Sequence, residues 1–258
     1  MRRPTDSGVA TKLLIGCSRA QRRKLLKEPP HHIPMPKFPA SSAFEVSQKV
    51  ITPLSKVKFF SAEQVEKFLK EAPDDEFLET KVALILGILG ALNQVDLLHL
   101  KVTDIKDEGD TSLVKITRSK TAASRSFIVS HQGYNIHKKY AVLRPKNATS
   151  DRFFMGYSHG HCVNQVIGIK YFTDMTKKMA KFLKLTNPES YTGPIFHRTS
   201  AALLANAGAG IMTLKCHGGW KSYTSAHGHN WDSHHDKIEV SRMITSALNL
   251  CSSFPKHV

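Results

Sequence analysis

From residue 59 onward apolar positions recur at helical spacing, interrupted once by a block that reads as strand. Ser61 to Gln64 has the S-x-x-Q form of a capping box, and Val65, Phe68 and Leu69 follow on one face, which predicts a helix over 62–71. The longest apolar run, Val82 to Leu92, is interrupted by Gly87 and Gly90; residues 82–89 read as a buried helix, well short of the roughly 20 residues needed to cross a bilayer. A short amphipathic helix is expected over 94–100, with Val95, Leu98 and Leu100 on or near its inner face. Between Ser112 and Ser130 the character changes. Leu113, Val114, Ile116, Phe127, Ile128 and Val129 are strand formers on either side of a polar, basic turn, Arg118 to Arg125, which is the signature of a hairpin. Helical patterns return over 137–143, 170–183, 199–207 and 211–215, with Gly208 and Gly210 as a helix stop. A last helix is expected over 236–250, carrying Ile238, Val240, Met243, Ile244 and Leu248, to dock on the domain or on a partner. The fold class is therefore α+β, mostly α, with a small antiparallel hairpin or sheet.

The segment before this domain differs in kind. Arg19, Arg22, Arg23, Lys24 and Lys27 cluster, and Pro29, Pro30, Pro34, Pro36 and Pro39 then prevent any helix, so residues 1–57 read as a basic, Pro-rich arm and linker. The expected organisation is this arm, a domain over 58–233, and a C-terminal helix and tail over 234–258. A hydrophobic content of 41% over 258 residues is enough to bury a sizeable core. The N-terminus is basic without an apolar stretch leading to a cleavage site, which argues against a secretory signal.

Charge narrows the function further. Thirty-seven Lys and Arg against 21 Asp and Glu give a net charge of +16. An excess of that size attracts polyanions and drives counterion release from nucleic acid, so nucleic acid is the expected partner, with no membrane involved. The basic arm would bind phosphates or act as a nuclear import signal, giving a nuclear location. Cys17, Cys162, Cys216 and Cys251 are too dispersed for a disulfide framework or a cysteine zinc site. His217, His227, His229, His234 and His235 crowd the last third, but they lack the i, i+4 spacing and carboxylate of hydrolytic zinc motifs; no metal and no cofactor is expected.

Three blocks in order carry a resemblance: GILGALNQVDLLHLKVTDI, the basic turn Arg118-Ser119-Lys120-Thr121, and IFHRTSAALLANAGAGIMTLKCHGGWKS. Together they resemble the catalytic domain of the tyrosine recombinases (phage integrases), in the form found in recombinase-like proteins of eukaryotic mobile elements, over residues 59–233. The resemblance implies the integrase-like catalytic fold and a chemistry in which a tyrosine attacks a DNA phosphodiester. Two arginines and a histidine stabilise the phosphoryl charge, and a hairpin lysine protonates the leaving oxygen.

Carried over position by position, that site is degenerate here. The family's first arginine falls on Asn93, in Ala91-Leu92-Asn93-Gln94-Val95-Asp96-Leu97, and brings no charge. The hairpin lysine is retained as Lys120. The H-x-x-R motif reads Pro194-Ile195-Phe196-His197, with Arg198 next in line as a remnant of the basic pair. Trp220 occupies the family's histidine or tryptophan position. The nucleophile falls on His229, in His227-Gly228-His229, while Tyr223 lies too early to replace it. Removing even one preorganised charge-stabilising group costs about 100- to 1,000-fold in rate. The expected protein is a non-cutting DNA-binding module with phosphate contacts from Arg118, Lys120, Arg125, Arg198, Lys215 and Lys221, and with self-association through the C-terminal helix open. Two alternatives stand beside it: an active strand transferase with substituted residues, and a non-functional mobile-element remnant. The family's N-terminal clamp domain has no counterpart in 1–57, which implies weak, salt-sensitive binding.

Overall fold

Ser61 caps the first helix as its sequence predicts. In the computed structural model, which describes residues 58–116, 125–218 and 233–250, Gln64 N donates to Ser61 Oγ (3.3 Å) and Ser61 N donates back to Gln64 Oε1 (3.0 Å). Helix α1 (Ala62–Glu71) then buries Val65, Phe68 and Leu69. The arm over 1–57, the hairpin turn with Arg118 and Lys120, and the stretch holding Trp220, Lys221, Tyr223, His227 and His229 lie outside the described residues.

Helix α2 (Asp74–Leu89) is the axis of the domain: every residue from Phe77 to Leu89 is buried, and the helices His131–Val142, Ile169–Phe182, Ile195–Asn206 and His234–Ala247 all pack on it. It begins eight residues before the expected start at Val82. Glu79 and Lys81 break the apolar pattern there and are themselves buried, Lys81 through an ion pair with Asp74 (2.7 Å). Asp74, Asp75 and Glu76 in the first turn favour the positive end of the helix dipole.

The two glycines that interrupt the apolar run mark close approaches rather than flexibility. A Cβ on Gly87 would sit 2.7 Å from Phe196 Cβ, and one on Gly90 would run into the Phe127 ring. The backbone of Gly90 is at φ −101°, open to any residue, so the obstacle is steric. Gly90→Ala should therefore destabilise the domain by about 1–3 kcal/mol as overpacking, read as a lower urea midpoint; an unchanged midpoint would mean that the Phe127 ring moves aside freely.

Helix α3 (Gln94–His99) corrects one expectation, because Val95 is 49% exposed while Asp96 and Leu97 face inward and Leu100 is buried just past its end. Asn93 sets this phase as N-cap. A three-residue strand β1 (Ile105–Asp107), not expected from the sequence, joins β2 (Ser112–Ile116) and β3 (Arg125–Val129) in an antiparallel sheet of order β1-β2-β3. The expected hairpin is its β2–β3 half, with Val114 opposite Phe127 and Ile116 opposite Arg125.

Helix α4 (His131–Val142) starts six residues before the expected position, its first turn holding Gly133 against Ile85. A second hairpin, β4 (Met155–Ser158) and β5 (His161–Val166), has no counterpart in the sequence reading. Strand β5 is exposed along almost its whole length and so lacks the alternation that would betray it, and its turn is made by His159 and Gly160, both at positive φ. Helices α5 (Ile169–Phe182), α6 (Ile195–Asn206) and α7 (Ile211–Gly218) follow close to their expected places, and Gly208 at φ +83° ends α6. The last helix, α8 (His234–Ala247), docks on its own domain: it packs on β3 and α6, buries Ile244, and sets Ser241 Oγ 3.3 Å from Ser130 Oγ. Ile238 stays 45% exposed on its outer side.

Candidate nucleic-acid site

Four elements converge where the resemblance would set the family's centre: the turn after α2, the start of β3, the first half of α6 and the end of α7. Asn93 stands in the turn. Its Oδ1 accepts from Val95 N (2.8 Å) and Asp96 N (3.0 Å), and Asn93 N donates to Asp96 Oδ2 (3.0 Å), a reciprocal cap on α3. Asn93, where the sequence resemblance expects the family's first arginine, here holds a helix end.

The guanidinium at the centre comes from another element. Arg125, first residue of β3, donates from Nη1 to His217 O (3.1 Å) and from Nη2 to Ala91 O (3.1 Å), and pairs with the buried Asp96 carboxylate (3.4 Å). Its side chain is only 20% exposed. Expected as an outward phosphate contact, Arg125 is turned inward and fastens the hairpin to the α2–α3 turn and to the end of α7. The signal was present in the strand: Arg125, Phe127 and Val129 share one face at period two, and Phe127 and Val129 are buried.

His217 and Ser200 form the second layer and were not singled out from the sequence as site residues. Ser200 Oγ donates to Ile88 O (2.5 Å), and having one proton it accepts from His217 Nε2 (2.7 Å). Burial, with the charge of Arg125 and then that of His197, pushes the His217 imidazole down to about 4, so it is neutral at physiological pH. His197 Nε2 sits 3.4 Å from Gly218 O at the end of α7. Pro194 precedes α6 as its N-cap residue and offers no side-chain cap.

Of the proposed phosphate contacts, Arg198 is half-buried on α6 and makes no side-chain hydrogen bond or ion pair with another described residue, while Lys215 lies half-buried on the neighbouring α7. Lys120, Trp220, Arg118, Lys221 and His229 belong to stretches outside the described residues. Among the described residues no group of three His, Cys, Asp or Glu side chains is placed to hold a metal ion, and no helix is long and apolar enough to cross a membrane. The centre as described can hold charge and position elements; its guanidinium is already committed to two carbonyls and a carboxylate.

No family model and no curated protein matches the sequence. Solved structures do match the fold. XerA recombinase superposes with a TM-score of 0.54 at 13% identity, over 77% of this chain and 66% of that one. An integrase from mycobacterium phage Brujita gives 0.52 at 14% identity, over 76% and 64%. XerH site-specific recombinase bound to its difH substrate, in a pre-cleavage complex, gives 0.51 at 15% identity over 73% of this chain but 50% of that one, so the chain spans about half of that recombinase. These likenesses show that the chain has the fold of the tyrosine recombinase catalytic domain.

Proposed function

We propose that this chain is a DNA-binding module on the recombinase fold, holding the phosphate backbone without cutting it. The observation that supports this reading is the arrangement of the centre: Asn93, where the resemblance expects an arginine, is a neutral helix cap, and the nearby guanidinium of Arg125 is tied down by protein acceptors. Two features supply the binding half. The net charge of +16 sits on a fold that the XerH recombinase uses in complex with its DNA substrate. Arg198 and Lys215 on α6 and α7, with Arg118, Lys120 and Lys221 beyond the described residues, would meet phosphates, contacts that fix position on the duplex without reading its sequence.

Fluorescence anisotropy with a random duplex across a salt series tests the binding. Saturable binding is expected, with affinity falling as salt rises at a log-log slope of about 0.9 per phosphate contacted. No saturable binding at low salt would sink the reading and favour a functionless remnant. A nicked duplex tests the chemistry: no covalent protein–DNA adduct is expected, whereas an adduct that disappears in His229→Ala would establish strand transfer by a substituted nucleophile. Nuclear location belongs to the same proposal and rests on the basic cluster from Arg19 to Lys27. A fluorescent fusion with those five residues replaced by alanine should lose nuclear accumulation.

A further inference from the structure

On the side of α2 that faces α5 and the β4–β5 hairpin lies a cavity of about 410 Å³ that the DNA reading does not use. Its walls include Asp75, Glu76 and Glu79 of α2, Tyr157 of β4, and Tyr171 and Asp174 of α5, with Lys178 adding one ammonium. An acidic cavity is unexpected in a chain this basic. Glu79 is the group that needs an explanation: the residue is 2% exposed, and its Oε1 has no hydrogen-bond partner among the described residues. A buried acceptor left without a donor costs free energy that native structures rarely leave uncompensated. What the site lacks is an N–H or O–H reaching in from the cavity.

We propose that this cavity binds a small organic cation carrying protonated primary amines, one ammonium donating to Glu79 and another held by Asp75, Glu76 and Asp174. The phenol rings of Tyr157 and Tyr171 give the intervening methylenes and the charge an aromatic wall. A bare metal ion fits less well, since the carboxylates of the wall are not gathered into a group that could coordinate one. The cavity has the volume range of a small-ligand site.

Proton balance gives this site a signature. In the free protein, burial pushes the Glu79 carboxyl up to about 8, against the opposing pull of the Tyr171 hydroxyl and the Lys178 ammonium, so it is mostly protonated near neutrality. The other titratable groups around it are Tyr140 of α4, Tyr157 of β4 and Cys162 of β5, all raised by burial and neutral in the same range, and the cavity wall also carries Asp75, Glu76, Asp174 and His159. An ammonium ion placed against Glu79 stabilises its carboxylate. The carboxyl proton leaves to the buffer, and the ammonium keeps its own.

Calorimetric titration of the full chain, without DNA, with spermidine at neutral pH in two buffers of different ionisation enthalpy tests this. Saturable binding is expected, with release of about one proton per ligand. Tetramethylammonium, which has the charge but no N–H, should not bind. Glu79→Gln should weaken spermidine binding by about tenfold or more and abolish the proton release, because the amide cannot supply the charge-assisted acceptor. Absence of saturable binding, or an affinity and proton release unchanged in Glu79→Gln, would overturn the proposal. If that variant fails to fold, the wild-type protein decides: binding with no buffer dependence of the heat also overturns it, and Asp174→Asn should weaken binding while leaving the proton release intact.

Discussion

Arg125→Ala is expected to lower the stability of the domain by about 3 kcal/mol or more, because it strips three partners at once. Ala91 O and His217 O lose their donor, and the Asp96 carboxylate, its side chain 4% exposed, keeps its backbone bond from Asn93 but loses its guanidinium. Removing one member of a buried pair strands the other charge, which costs more than the pair itself contributes. Arg125→Lys should recover only part of the loss, since a single ammonium cannot replace a planar fork that serves acceptors on two sides. Urea unfolding measures the effect, and an unchanged midpoint would refute the inward clamp. The same variants separate structure from DNA contact. Lys120→Ala should leave the urea midpoint where it was while weakening DNA uniformly and reducing the salt slope by about 1.

The second large effect is in the pH dependence. His137 is 3% exposed, stacked on Phe153 at 5.5 Å between ring centroids, and neither ring nitrogen has a hydrogen-bond partner among the described residues. Burial holds this imidazole down to about 4 from an ordinary value of 6.5, against the pull of Asp107. Between those values the unfolded chain binds the proton and the folded one does not, so the contribution of His137 to stability is complete above about pH 6.5 and is lost as the pH falls toward 4. The loss amounts to about 3 kcal/mol.

Glu79 works in the opposite direction. Its carboxyl is raised to about 8 from 4.5, so the folded chain keeps a proton that the unfolded one releases, and stability falls as pH rises through that range. The two slopes offset each other between about 4.5 and 6.5 and act alone on either side, giving a plateau with a fall at both ends. His137→Phe should remove the acid limb and stabilise the protein near neutrality by about 1 kcal/mol, since the ring loses two polar atoms that have no partner. A difference between wild type and His137→Phe that stays flat from pH 4 to 6.5 would show that the imidazole titrates normally.

How much of this was legible in the sequence depends on whether a residue's role is local. The cap at Ser61, the β2–β3 hairpin and helices α5 to α7 follow from spacing within a few residues, and the structure has them where the pattern places them. The start of α2 was hidden because Glu79 and Lys81 look like surface residues until Asp74 and the cavity are in view. Strand β5 was hidden for the reverse reason, having no buried face to impose a pattern. At the candidate site the sequence offers only a difference in type, Asn93 and His197 standing where the resemblance calls for other residues. The cap that Asn93 makes is local, closed within three residues, but that Ser200 joins His217 to the carbonyl of Ile88 depends on segments far apart in the chain, 112 positions in the case of Ser200 and Ile88.

The docking of α8 sets the order in which the molecule can be made. Val65, Leu69, Leu84 and Ile88 meet Thr245, Leu248 and Leu250 at one end of the core, and Asn249 reaches back to Glu66 across 183 positions. A ribosome adds about 5–20 residues per second, so the first two helices wait on the order of ten seconds or more before the segment that covers them exists. For that interval the emerging chain presents an apolar cleft without its cover, and whatever shields it during translation governs the yield of folded protein.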